Sequence, residues 1–298
     1  MIQAFCVAGH TFHLELPDGS AIPALLSQYK DFVTPPVEYP LFTLKTVDEI
    51  PVSELEPLYV SDSVDDNMPR LDLYACVGGY VVEMAPFAKQ PPCARLAMSE
   101  DFRDGSLAFV KDSDRSVLFA LNNSIMLMYA FCSAPYMTLE MHASVVGNGG
   151  KGYLFLGKSG TGKSTHSSLW LKYIEGSELI NDDNPVIRVG EDGMTRIYGS
   201  PWSGKTPCYR NVSVPVGGIV RIRQAKHNTL TRLNVIESYA SLYSSCSGFK
   251  AHHAMADAQH KTLERIVRDV PCYTLDCLPV EDAARVCFAG VMKEAGNE

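Results

Sequence analysis

Eight consecutive residues, Gly157-Lys158-Ser159-Gly160-Thr161-Gly162-Lys163-Ser164, follow the spacing GxxxxGK[ST] in full and carry an extra glycine at Gly160. Glycines at these places let the backbone turn its amide hydrogens inward on an anion with no Cβ in the way. A helix opening at the end of the run adds the positive end of its dipole. The anion such a cradle suits is a phosphate. Lys163 is then the counter-charge to the β and γ phosphates of a nucleotide and Ser164 a magnesium ligand, with Ser159, Thr161 and Thr165 completing the loop set. The competing reading is a plain glycine-rich turn between a strand and a helix.

A phosphate loop needs a carboxylate for the metal, and Leu179-Ile180-Asn181-Asp182-Asp183 places two acids after a short apolar run. Neighbouring carboxylates in a strand point to opposite sides, so of Asp182 and Asp183 one is expected to face the metal and the other the acceptor or the backbone. Asp-Asp-Asn-Pro also has turn chemistry, which is the alternative for this pair.

These groups need elements to hold them. The apolar run Gly152–Leu156 reads as a strand feeding the loop, and a helix is expected from the loop to about Tyr173. Upstream, Leu139–Val146 reads as one strand, with Gly147-Asn148-Gly149-Gly150 as the hairpin turn. Downstream, Val235–Ser245, Ala254–Val267 and Val280–Met292 read as helices and Val270–Leu275 as a strand. From Met1 to about residue 115 short runs of Val, Tyr, Phe and Leu broken by Pro and Gly clusters predict a β-rich accessory region, with Leu71–Glu83 and Leu107–Lys111 as strands. Residues 116–298 are expected to form the nucleotide-binding domain, opened by a helix over Ser116–Ala134. The fold class expected is α/β (α+β).

Composition narrows the classes further. The 298 residues are 46% hydrophobic and 20% charged, which is ordinary globular usage and excludes a disulfide-stapled miniprotein or a mainly disordered chain. A net charge of -8 argues against nucleic acid or an anionic membrane surface as partner. The apolar stretch Ser116–Ala134 carries Asn122, Asn123 and Ser124 at its middle, which favours a buried helix over a membrane span. No signal peptide is evident, and the 9 cysteines show no CxxC pair, so reduced, mostly buried thiols in a cytoplasmic protein are expected. The acidic loop Asp62–Asn67 lacks the Gly and terminal Glu of a calcium loop and reads as solvated.

The stretch His142–Arg188 resembles the catalytic domain of HPr kinase/phosphorylase, a bacterial protein-serine kinase whose fold is related to that of phosphoenolpyruvate carboxykinase. The resemblance rests on His142-Ala143 before the hairpin, on a loop similar to GxSGxGKS, and on Leu179-Ile180-Asn181-Asp182-Asp183 where the family reads L-[VI]-A-D-D. It implies that Lys163 binds the phosphates of ATP, that Ser164 holds magnesium, that Asp183 accepts the proton of the substrate hydroxyl, and that His142 stands near the transferring phosphate. Without the resemblance, His142 reads as a core histidine.

The chain departs from that family where the family carries E-I-R-G-x-G-I with a metal-binding Glu. Ser213-Val214-Pro215-Val216-Gly217-Gly218-Ile219 is the nearest stretch, and Ser213 takes the place of the Glu. The loop Tyr198–Lys205 contains Trp202 and offers either a flap with Lys205 reaching a phosphate or a rigid turn packed by Trp202. A phosphoenolpyruvate carboxykinase proper is disfavoured by the chain's length and the missing second-metal and oxaloacetate motifs. Arg221 and Arg223 are candidate phosphate contacts or strand-edge charges, and His252, His253 and His260 read as solvated rather than metal-binding. The leading expectation is an ATP- and magnesium-dependent kinase acting on a hydroxyl of an unknown protein, peptide or small molecule. The alternatives are a nucleotide-binding regulatory or peptide-handling module without transfer activity, and a structural protein with an idle loop. A homo-oligomer is left open.

Overall fold

The computed structural model describes residues 1–51, 54–61, 68–111, 113–204 and 206–295. The acidic stretch 62–67 and Lys205 lie outside the described residues, as do the readings attached to them. The chain forms two compact units, Met1–Cys132 and Ser133–Glu298, and is a mixed α/β protein with two large sheets.

The first unit carries strands β1 (Ile2–Val7), β2 (His10–Glu15), β3 (Val33–Thr34), β4 (Thr43–Val47), β5 (Glu56–Tyr59), β6 (Arg70–Cys76), β7 (Gly79–Ala85), β8 (Ala94–Ser99) and β9 (Asp104–Phe109). They form one sheet in the order β3-β1-β2-β4-β9-β8-β7-β6-β5. The run Leu71–Glu83, expected as one strand, is a hairpin: β6 and β7 pair from Arg70↔Ala85 to Cys76↔Gly79 around the two residues Val77-Gly78. A short helix α1 (Ile22–Leu25) and the long helix α2 (Asp114–Ser133) complete the unit.

The units part between Cys132 and Ser133, not at Ser116, because α2 packs with the N-terminal sheet. Leu121, Ile125 and Met128 are buried, the Tyr129 hydroxyl donates to Val7 O at 3.0 Å, and the Cys132 thiol donates to Phe102 O at 3.1 Å. The polar middle of the helix is satisfied from the same unit, with Asn122 Oδ1 accepting from Gln28 Nε2 and Tyr29 Oη. This is the one helix among the described residues long and apolar enough to cross a membrane, and 67% of its apolar window is buried inside the protein.

The second unit runs β10 (Thr138–Glu140), β11 (Ala143–Asn148), β12 (Lys151–Leu156), α3 (Lys163–Tyr173), β13 (Glu178–Asp183), β14 (Val186–Val189), β15 (Thr195–Tyr198), β16 (Ser213–Gln224), β17 (Thr229–Arg232), α4 (Val235–Tyr243), α5 (His253–Asp269), β18 (Cys272–Cys277) and α6 (Glu281–Ala295). The order is β10-β14-β15-β16-β12-β11-β13, and β18, itself paired with β17, adds to β16. The long β16 joins the two halves: its first residues pair antiparallel with β15, and from Val216 it runs parallel to β12.

Alternation along β12 sends Leu154 and Leu156 to one face and Tyr153 and Phe155 to the other. The first face is covered by Leu242 of α4 and by Leu263 and Ile266 of α5. The second is covered by Trp170 of α3 and by Ala284 and Cys287 of α6. Each large apolar side chain so buried contributes about 1.5–3 kcal/mol. The sheet is thus fixed from both sides, and its strand ends are rigid mounts.

One expected strand, Leu139–Val146, is two. The chain breaks at Met141-His142, where Met141 N donates to Pro185 O at 3.0 Å and His142 N to Ser245 O at 2.8 Å. On one side β10 pairs with β14, and on the other β11 pairs with both β12 and β13. His142 occupies the joint.

Candidate functional site

The antiparallel register of β11 decides which residues meet. Ala143 lies opposite Leu156 of β12 and opposite Asp183 of β13, so the start of β11 and the ends of β12 and β13 share one edge of the sheet. The loop leaves from Leu156, the acids end β13, and His142 precedes Ala143 between them. Carboxyl ends of strands are where α/β sheets bind ligands.

The loop is shaped by its glycines. Gly162, at the cap of α3, has φ 104°, a conformation that side-chain-bearing residues rarely adopt. A Cβ on Gly157 would stand 2.3 Å from Thr161 Oγ1, so the loop closes this tightly only with glycine there. Thr161 Oγ1 in turn donates to Lys158 O at 2.7 Å.

Lys163, the first residue of α3, turns back under the loop. Its ammonium donates to Gly157 O at 3.0 Å and lies 2.8 Å from His142 Nε2. On the far side of the ring, His142 Nδ1 lies 3.1 Å from Asp183 Oδ1. An ammonium only donates, so Nε2 accepts and Nδ1 carries the proton that it donates to the carboxylate. Lys163, His142 and Asp183 therefore form one hydrogen-bonded row. Burial pushes the Lys163 ammonium below its ordinary pKa, the carboxylates of Asp183 and Asp182 oppose that shift, and Arg221 reinforces it.

A cavity of about 460 Å³ opens onto this row, lined by His142, Ser159, Gly160, Gly162, Lys163, Ser164, Thr165, Asp182, Asp183 and Gly204. Expected to face opposite ways, the two acids both line it, because β13 ends there. They differ in access: Asp182 is 4% exposed and the Asp183 side chain 34%. The Asp182 carboxylate accepts no hydrogen bond from the described residues, although Lys163 lies within its electrostatic reach. A buried carboxylate and the Ser164 hydroxyl on one cavity wall are hard oxygen donors that fit a magnesium ion, which takes one or two protein ligands and completes its shell with water and phosphate. Among the described residues no group of three or more His, Cys, Asp or Glu is arranged to hold a metal.

Three supports of the site were not evident from residue types alone. Asn181 is buried between the acids and the Trp202 loop: Nδ2 donates to Ser200 Oγ and Trp202 O at 3.1 Å each, while Oδ1 accepts from Asp183 N at 3.1 Å and Asn184 N at 3.0 Å. Gly204 N donates to Asp182 O at 2.8 Å, and Ser203 bridges to Asp183. With Trp202 buried, the described part of this loop is a fixed wall, as the packed-turn reading has it. Arg221 turns away from phosphate duty toward the end of α4, donating to Ser241 Oγ at 2.7 Å, Ser244 Oγ at 2.8 Å and Ser245 Oγ at 3.0 Å, and to Ser241 O. Ser245 O is the acceptor for His142 N, so Arg221 braces the backbone that positions the imidazole. Glu140, two residues before His142, is fully buried, and burial pushes its carboxyl up to about 8. A register-level signal existed only for Asn181, which departs from the alanine of the resembled pattern.

Of the candidate residues, His142, Ser159, Gly160, Gly162, Lys163, Ser164, Thr165, Asp182 and Asp183 share the cavity. Gly157 contributes its carbonyl to Lys163, and Thr161 faces the other side of the loop. Arg223 pairs with Asp276 at 2.7 Å on the strand edge. His260 stacks on Tyr239 and Tyr243, and His253 is exposed. Compared with models of known protein families the chain matches none, and it matches no curated protein.

Proposed function

We propose that the protein is an ATP-dependent phosphotransferase acting on a hydroxyl of a protein, peptide or small molecule in the cytoplasm, with an HPr kinase-like domain of the phosphoenolpyruvate carboxykinase-related P-loop fold in its second unit. The observation that carries this reading is the row Lys163–His142–Asp183, which links the phosphate-binding lysine to a half-exposed carboxylate across one cavity. A phosphate cradle alone needs no such carboxylate; a transferase does.

Lys163 and the loop amides hold the β and γ phosphates of ATP, and Ser164 and Asp182 are the residues that would hold magnesium. Magnesium, when bound, neutralises charge on those phosphates. His142 holds Asp183 Oδ1 by its Nδ1–H and leaves Oδ2 with no hydrogen bond among the described residues. That oxygen takes the proton of the acceptor hydroxyl as its oxygen attacks the γ phosphorus and the bond to ADP breaks. The fixed wall of Ser203-Gly204 beside the acids limits how the acceptor enters.

A second reading, nucleotide binding without transfer, is favoured by one feature: Ser213 supplies no carboxylate where the resembled family has its metal-binding Glu, and Asp182 and Asp183 are the only carboxylates among the described lining residues. ATP turnover, measured with and without magnesium and with hydroxyl acceptors, separates the two. Magnesium-dependent ADP formation supports the transferase; tight nucleotide binding with no turnover by any acceptor supports the binding module.

A further inference from the structure

Arg221 is half-buried, and no Asp or Glu among the described residues balances its charge. Arg196, Arg210, Arg223, Arg265 and Arg285 of the same unit each hold a carboxylate. Burial alone moves the Arg221 guanidinium, pushing it below its ordinary pKa. A cation taken partly out of water with no counter-ion is unfavourable, and a strongly perturbed charge of this kind marks a place where a ligand supplies the missing partner.

The hydrogen bonds of this side chain leave donors over. Nε donates to Ser241 Oγ, and Nη2 donates to Ser241 O, Ser244 Oγ and Ser245 Oγ, so the brace on α4 uses two of the three nitrogens. Nη1 and its two N–H groups have no acceptor among the described residues. Ser241 and Ser245 are buried, their hydroxyls accept from the guanidinium, and neither O–H has an acceptor among the described residues. The bond from Nη2 to Ser244 lies at the surface, so the cluster is reached from solvent. What it offers there is spare N–H and O–H groups around a positive charge, the chemistry of an oxyanion site.

The cluster adjoins the reacting groups. In the parallel pairing of β16 with β12, Arg221 lies beside Leu156, the residue from which the phosphate loop departs. Ser245 joins it to the row: the hydroxyl accepts from Arg221 and the carbonyl accepts from His142 N. The Arg221 charge is felt at Lys163, where it opposes protonation. His142, which connects Ser245 to Asp183, has 41% of its side chain exposed, and Asp183 has 34%.

We infer that Arg221, with the hydroxyls of Ser241 and Ser245, binds an oxyanion carried by the acceptor. The substrate is then a small hydroxy acid or phosphorylated alcohol that lies across His142 with its hydroxyl at Asp183. The inference rests on the phosphotransferase reading above. A planar guanidinium fork matches the geometry of carboxylate and phosphate alike. An acceptor tethered at this second point keeps its hydroxyl in front of the base, which is the use of a positioning group. Capping the end of α4 is the other use of Arg221, and Nε and Nη2 already serve it, which leaves Nη1 for the ligand.

Calorimetry on the full chain tests this with the loop filled by magnesium and a non-hydrolysable ATP analogue. The probes are glycerol, D-glycerate and glycerol 3-phosphate, which set a neutral group, a carboxylate and a phosphate on the same carbon skeleton. At least one of the two anions should bind about tenfold or more tighter than glycerol, and the tighter of them names the oxyanion. Arg221→Met should remove that preference. Ser245→Ala, which keeps the guanidinium and removes one donor, should reduce it about threefold or more, with affinity for the analogue within about threefold of wild type in both variants. Anions that bind no better than glycerol to the wild type, or a preference kept by both variants, overturn the inference and leave the phosphotransferase reading standing. If Arg221→Met does not fold, Ser245→Ala decides. A wild type that binds no analogue overturns the phosphate-loop reading and the inference together.

Discussion

The imidazole of His142 holds Asp183 across 3.1 Å from Nδ1 while its other nitrogen rests 2.8 Å from the Lys163 ammonium. The geometry follows from a break in the chain. Had Leu139–Val146 run on as a single strand, residue 142 would be one more ladder position. Because β10 and β11 pair with different partners, the peptide at 142 is free to bond Ser245, and the side chain meets both neighbours.

In the proposed function Lys163 serves binding. Lys163→Ala removes a buried ammonium and its charge-assisted hydrogen bonds, each worth about 1.5–3 kcal/mol. ATP affinity by calorimetry should fall at least about tenfold to a hundredfold, with the unliganded melting temperature little changed, since the lysine is only partly relieved of its desolvation by Asp183 and Asp182. Wild-type affinity in the variant contradicts the assignment.

His142 is assigned to positioning. His142→Ala should leave the nucleotide dissociation constant within about threefold but lower kcat about a hundredfold, the cost of a carboxylate displaced by about 1 Å. A rise in KM for ATP with kcat intact would instead make His142 a phosphate ligand. Arg221→Met, which releases the serines that carry Ser245, should lower kcat in the same direction by a smaller factor.

Glu140 supplies a pH signature independent of activity. Its Oε1 accepts from Ser247 Oγ at 3.3 Å and its Oε2 has no partner among the described residues, and burial raises its carboxyl from the ordinary 4.5 to about 8 against the pull of that hydrogen bond, with Asp183 adding to the rise. Between those values the folded protein binds a proton that the unfolded chain does not, so stability falls as pH rises. The contribution is complete below about pH 4.5 and lost on passing about 8. Melting curves across that window should show a shallower decline for Glu140→Gln than for wild type. Parallel curves would mean that the carboxyl is not protonated in the fold.

Much of the strand, glycine loop and helix on one side of the cavity was legible in the residues because it is locally determined. The glycine run, the apolar strand before it and the helix after it specify one another over about twenty residues, and the structure has β12, the loop and α3 in that succession. Asp182 and Asp183 were legible as chemistry but not as geometry: that both line one cavity depends on where β13 ends against β11. The split at His142, the pin at Asn181 and the brace at Arg221 depend on partners 19 to 24 residues away or on strands paired out of chain order. The placement of α2 with the first unit was illegible for a related reason, since an apolar helix face does not name the sheet that covers it.

Asp183→Asn tests the central claim most directly, because it keeps the shape of the side chain and removes the proton acceptor. Nucleotide affinity and magnesium-dependent turnover are measured on the same preparation. The row predicts ATP affinity within about threefold of wild type and phosphoryl transfer lowered about 10²–10⁴-fold, the range for losing a general base. Transfer at the wild-type rate would contradict it, since no base would then be missing.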